Sequence, residues 1–196
     1  MHLAFDILRG LGVAAAIGIR PFLPSLAACA LASGDVEIDF QRGGFHFLSA
    51  SWFLLILAIC AILLAVAERQ LGAERLGSSA ARIALAVVAV ALGALLFAGI
   101  MDQGHYAAWP GAIAGAVCAL VGLLATQPLL ARVRKRLDAG AQAALPLYAE
   151  SAGLVLSVAS VVVPPVGAIG IVALAWLLVA SRRRAGEKYA GLRILR

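Results

Sequence analysis

The sequence predicts an all-α integral membrane protein, with three full transmembrane helices between two proline-broken hairpin or re-entrant helical segments. Three observations predict it. Hydrophobic residues make up 63% of the 196 positions and charged residues only 13%, with a mean hydropathy of +1.00. A soluble domain has roughly 45–50% apolar and about 25% charged residues, so the surface is built for lipid. The apolar residues also gather into five blocks, at 3–33, 47–67, 83–101, 109–131 and 146–181. Finally, four of the seven prolines interrupt the two outer blocks near their middles.

The first block, 3–33, is too long for one crossing, which takes about 20 residues. Pro21 and Pro24 break it inside "GIRPFLPSL". Proline removes a backbone donor and disfavours a helical conformation at the residue before it, here Arg20. The "LAAC" at Leu26–Cys29 resembles a lipoprotein processing site. However, Asp6, Arg9, Arg20 and two prolines precede it and make a poor signal core, so the block reads as mature membrane structure. The blocks 47–67, 83–101 and 109–131 each have the length of a single span. The last block, 146–181, is again too long and is broken at Pro164 and Pro165. A basic tail, 182–196, follows it. The expected organisation is one transmembrane domain over 1–196.

The loops orient these elements. Loop 34–46 carries Asp35, Glu37 and Asp39 against Arg42, and loop 102–108 carries Asp102 with no Lys or Arg. Loop 68–82 carries Arg69, Arg75 and Arg82, and loop 132–145 carries Arg132, Arg134, Lys135 and Arg136. The tail sets six basic residues against Glu187. The positive-inside rule places the basic loops and the tail in the cytoplasm and the two acidic loops outside. The net charge of +6 therefore reflects topology and anionic headgroups, and nucleic acid is not an expected partner. The last block starts and ends on the cytoplasmic side, so it goes in and comes back. Arms 147–163 and 166–181 turn at Val163–Pro165, and 17 residues span about 25 Å.

A shift of 143 residues lays Gly10 on Gly153, Pro21 on Pro164, and Ala30–Ala32 on Ala173–Ala175. The outer blocks then read as an inverted repeat whose proline tips meet near the midplane. The first block is either a hairpin entering from outside or one broken span with its N-terminus inside.

Three stretches carry a family resemblance: "GLGVAAAIGIRPFLPSLAACALA", "SASWFLLILAICAILLAVAERQ" and "GAIAGAVCALVGLLATQPLLARVRKR". Gly18, Arg20, Phe22 and Pro24 form the most distinctive element, and Glu68 the next. They resemble an uncharacterised bacterial multi-pass inner-membrane family, domain of unknown function 4126. The resemblance implies a membrane location and a similar helix count. It implies no activity, cofactor or cargo.

Arg20 is the leading candidate for function. An intramembrane arginine costs about 2.5–3.5 kcal/mol on insertion scales, and such residues face a cavity or a partner. The break leaves backbone groups unpaired, which is tolerated at depth only inside protein or beside water. A helix starting near Pro24 would aim its positive end at the same place. Either Arg20, with Phe22 and Ser25 beside it, binds an anionic small molecule or a phosphate-bearing lipid headgroup, or it is a lock that ties the break together.

Glu68 and Glu150 are the counter-charges within apolar sequence, with Asp6 near the start. Ser157 and Ser160 share a face with Ser151 a little under two turns earlier, fit either for a polar path or for helix packing. Gly10, Ala14 and Gly18, and likewise Gly111 and Gly115, form small-residue ridges for a tight bundle or a homo-oligomer. Trp52, Trp109 and Trp176 read as interface anchors. Cys29, Cys60 and Cys118 have neither metal nor redox spacing and read as small hydrophobes. No catalytic, metal or cofactor motif stands out, so the expected function is a small transporter, channel or lipid translocator. The rival is a non-transporting scaffold or assembly subunit.

Overall fold

A computed structural model describes residues 2–34, 38, 40, 43–76, 79–134 and 136–190. Its helices are α1 (His2–Ile19), α2 (Phe22–Ser33), α3 (Ser51–Leu76), α4 (Ser79–Gln103), α5 (Ala108–Arg134), α6 (Ala139–Val162) and α7 (Pro164–Ala190), with a 3-10 turn at His46–Ser49. Five helices are long and apolar enough to cross a membrane: α3 over Ser51–Glu68, α4 over Ala80–Gln103, α5 over Ala108–Arg134, α6 over Gly140–Val162 and α7 over Pro164–Arg183. Three single spans were expected. Each arm of the last block is also long enough to cross, because the α6 and α7 stretches rise about 34 Å and 30 Å.

The expected loop 68–82 is mostly helix. "AERQLGAERL" is rich in Ala, Glu, Arg, Gln and Leu, all good helix formers, and α3 continues through it to Leu76. Pro128 and Pro146 lie within α5 and α6, whereas Pro164 takes the first position of α7, where its missing N–H costs nothing. Asp35, Glu37, Asp39, Arg42, Lys135, Arg193 and Arg196 fall outside the described residues. The same holds for the side chains of Arg69, Arg75, Arg184, Glu187 and Lys188.

Helix α1 is the axis of the bundle. Its residues from Gly12 to Gly18 are buried, and it packs on α4, α5, α6 and α7. A helix that is apolar on every side belongs in a core. Glycine makes the closest approaches possible. A Cβ on Gly18 would strike the Ala119 carbonyl of α5, and one on Gly167 of α7 would strike the Leu8 carbonyl. Gly10 faces Phe97 of α4, and Gly111 and Gly115 face the same helix. The small-residue ridges expected for a bundle or an oligomer are therefore taken up by contacts within this chain.

The helix directions follow from these contacts. Gly12 of α1 lies against Ser160 of α6, and Gly153 of α6 lies against Ala16 and Ile19, so α1 and α6 run antiparallel. Gly170 of α7 meets Leu156 of α6, and Leu174 packs with Ala15. After Val163 the chain therefore runs back along both α6 and α1. At one end of the bundle, Asp6 lies beside Gly104, and Asp102 Oδ2 accepts the Gly44 N–H at 2.7 Å. Ala125, Leu129 and Arg132 of α5 flank Trp176 to Ser181 of α7 at the other end. The start of α1 and the end of α7 thus lie at opposite ends.

Helix α3 is peripheral. Only 6% of its apolar stretch is buried, and it leans chiefly on the short helix α2. Trp52, Leu55, Ile59 and Ile62 point outward. In a bilayer, these side chains are lipid-facing.

Candidate functional site

The end of α1 places a cation where no helical ladder can absorb it. Arg20 donates its backbone N–H to Ala16 O at 3.2 Å, closing the last turn of α1. Pro21 follows with φ −74° and brings no donor, and α2 begins at Phe22. The Arg20 side chain, only 12% exposed, then points at two carboxylates. Its Nη1 donates to Glu68 Oε1 at 2.5 Å, and its Nε lies 3.9 Å from Glu150 Oε1, an ion pair beyond hydrogen-bond reach. Glu68 comes from the last residue of the apolar stretch of α3, and Glu150 from the first half of α6. Three segments far apart in sequence thus converge on one guanidinium.

The cluster is not charge-balanced, because two carboxylates face one arginine. Glu150 Oε2 is buried and has no hydrogen-bond partner among the described residues. Of the five guanidinium N–H groups of Arg20, one has a hydrogen-bond partner among the described residues.

Other expected site residues serve the break itself. Ser25 donates its hydroxyl to the Pro21 carbonyl, one turn back. Ser157 of α6 donates to Pro24 O at 3.0 Å. Both serines are fully buried. Ser25 thereby adds a side-chain bond to the carbonyl at the start of α2, and Ser157 ties α6 to the carbonyl of Pro24. Phe22 packs against the core cluster around Val13 and Ile17. Ser160 donates to Leu156 O of its own helix at 2.6 Å, and the Ser151 hydroxyl donates to Tyr148 O at 3.0 Å. The serine face of α6 is accordingly a packing face at Ser157 and Ser160.

The two breaks do not meet. The first lies beside Glu150, halfway along α6, whereas Pro164 and Pro165 follow the end of α6. Arg9 of α1 marks the second break: its Nε donates to Val161 O at 3.2 Å, and its Nη1 lies 3.7 Å from Asp6. Arg9 and Arg20 are eleven residues apart on α1, about 16 Å along the axis. The second break lies at one end of α6, and the first lies about 18 Å from it, level with the middle of α6, where Pro24 meets Gly153 and Ser157. Nothing in the hydropathy or proline pattern marks Arg9 as a partner for the second break. Its available signal was the Asp6–Arg9 spacing of three, which puts both side chains on one helical face.

The α6–α7 surface holds an open groove of about 500 Å³ lined by Tyr148, Ser151, Val155, Leu156 and Val166. Arg20 does not line it.

No curated protein and no solved structure matches the chain. A family model described as Domain of unknown function (DUF4126) matches residues 7–184, and the chain belongs to that family.

Proposed function

We propose that the chain is a small transporter of the cytoplasmic membrane, handling an anionic small molecule or a phosphate-bearing lipid, with Arg20 as the group that receives the anion. The observation that carries this reading is the arginine itself, near-buried at a helix break with one of its five N–H groups hydrogen-bonded among the described residues. Glu68 and Glu150 hold that charge in the absence of cargo. An arriving anion takes the place of Glu68 on Nη1, so binding and release are an exchange of one anionic group for another. Glu68 sits on the peripheral helix α3, which leans on little besides α2 and is the element best placed to swing away.

The arrangement of the outer blocks supports the same reading. The pairs α1–α2 and α6–α7 enter from opposite ends, and α1 is antiparallel to α6. An inverted pair of broken helices around a charged site is the architecture on which rocking transporters operate. The site lies toward the basic-loop end of the bundle, which the positive-inside rule assigns to the cytoplasm.

The rival scaffold reading is favoured by one observation: Arg20, Ser25 and Ser157 all bind groups at or around the first break. Flux separates the two. Proteoliposomes carrying the wild type are tested for uptake of radiolabelled inorganic phosphate and a panel of small carboxylates, and for scrambling of a fluorescent phospholipid. Transport by the wild type, lost in Arg20→Gln and kept in Ser151→Ala, is the expected result. A folded Arg20→Gln protein with wild-type flux of every probe, or a wild type that moves none of them, overturns transport and leaves the lock.

A further inference from the structure

A second polar feature lies away from Arg20, between the ends of α5 and α7. These helices leave a groove of about 70 Å³ between them. Ala125, Leu129, Leu177 and Ala180 form its apolar floor, and Arg132 and Trp176 stand at its sides. From Ala125 to Arg132 the floor runs about 10 Å along α5.

Arg132 is held rather than loose. Its Nε donates to Pro128 O at 3.2 Å, which lays the stem along α5. The other four N–H groups have no partner among the described residues, and the side chain is exposed. Arg183, also exposed and without an ion pair among the described residues, lies two residues beyond Ser181 of the groove wall. Trp176 is 68% exposed, a place suited to an indole at the headgroup level. A held guanidinium fork above a narrow apolar trough fits a phosphate ester carrying an acyl chain. Free phosphate would use the arginine and leave the trough without a role.

We propose that the groove between α5 and α7 is a binding site for an anionic phospholipid, with the phosphate on Arg132, assisted by Arg183, and one acyl chain lying along Leu129 and Leu177. Basic pockets between helix ends recognise such headgroups by charge, whereas the acyl chain supplies area. This site is separate from the Arg20 cluster and stands whether or not the chain transports anything.

The test is thermal stabilisation and native mass spectrometry of the detergent-purified chain, titrated with phosphatidylglycerol, phosphatidylcholine or inorganic phosphate. Phosphatidylglycerol should bind and stabilise, and the other two should not. Each charge removed should weaken binding about fivefold, so R132Q/R183Q should lose about thirtyfold. Ala180→Trp fills the trough and should weaken phosphatidylglycerol binding with both arginines in place. Should the double variant fail to fold, the wild-type preference for phosphatidylglycerol over phosphatidylcholine must shrink as salt is raised. Equal binding of the two lipids, equal stabilisation by inorganic phosphate, or an unchanged affinity in a folded R132Q/R183Q protein each overturns the proposal.

Discussion

Replacing Arg20 by Gln should be the most costly single change in the charged cluster, far more costly than replacing either carboxylate. Arg20→Gln leaves Glu68 and Glu150 facing each other with no cation between them. Their side chains are 22% and 19% exposed, so water screens them only in part. Breaking such a pair from one side costs about 3–5 kcal/mol, because a charge stays behind uncompensated. Glu68→Gln is different. The amide oxygen still accepts from Nη1, and the cluster becomes one cation and one anion. The loss is the charge assistance of one hydrogen bond, about 1 kcal/mol. Glu150→Gln should cost least, because Glu150 Oε1 is too far from Nε for a hydrogen bond and Oε2 has no partner among the described residues.

Thermal unfolding in one detergent, followed by circular dichroism, reads this order. At about 2–4 °C per kcal/mol for a chain of this size, Arg20→Gln should lower Tm by roughly 6–20 °C and Glu68→Gln by no more than about 4 °C. The triple variant R20Q/E68Q/E150Q sharpens the test, since removing all three charges together removes the uncompensated one. It should be more stable than Arg20→Gln alone, as neutral replacements of buried ion clusters often are. A triple variant no better than the single one, or an Arg20→Gln protein within 2 °C of wild type, refutes the argument that charge imbalance governs the site.

The remaining predictions concern the break and the bundle. Ser157→Ala removes the bond that ties α6 to the Pro24 carbonyl of α2 and should destabilise by about 1 kcal/mol, whereas Ser160→Ala removes only a bond to Leu156 O of its own helix and should cost less; parallel denaturation curves compare them. Gly167→Leu drives a side chain into the Leu8 carbonyl and Gly12 and should abolish the folded detergent-soluble fraction, whereas Gly140→Ala, with open space around it, should be neutral or stabilise by up to about 1 kcal/mol. In a cysteine-free background, Ala107→Cys and Gly140→Cys should react with a membrane-impermeant thiol reagent from opposite faces of oriented vesicles; labelling from the same face would remove the single-span reading of α5.

The charges of the site were legible in the sequence because each is an ionisable residue in or at the edge of an apolar stretch, where it must find a partner. With few acids in the apolar stretches, Glu68 and Glu150 were the available partners for Arg20, and the structure brings each within 4 Å of its guanidinium. The prolines likewise marked both helix breaks. What pattern alone could not give was depth. The idea that the tips meet rested on a 143-residue shift among Ala, Gly, Val and Leu, which fixes no contact. Depth came instead from Gly12 on Ser160 and Gly153 on Ala16, contacts that follow from antiparallel packing and leave no periodic trace. The extension of α3 to Leu76 was legible and outweighed by charge: "AERQLGAERL" has the propensity of a helix and the hydrophilicity of a loop, and a helix end outside the lipid has no need to be apolar.

The contrast between the two breaks has a physical resolution in α1. The residue before the first proline pair is Arg20, and the residue before the second is Val163, so a repeat relation alone predicts one charged and one uncharged break. Both are in fact served by an arginine, one within α1 and one just after its last residue. Arg20 sits at its own break, and Arg9 reaches across to the Val161 carbonyl at the end of α6. The end of α6 has no charged residue of its own to spare, since its last turn carries no basic side chain. The two differ in what they bind. Arg9 donates to a backbone carbonyl that the helix end would otherwise leave without a partner, a task that any rigid donor of that reach performs. Arg20 faces side-chain carboxylates, groups that can move with their helices. A carbonyl contact makes a fixed joint, and a carboxylate contact makes an exchangeable one. If α1 is the axis about which the outer segments move, the Val161 end is the anchored one and the Glu68 end is where change of state is cheapest.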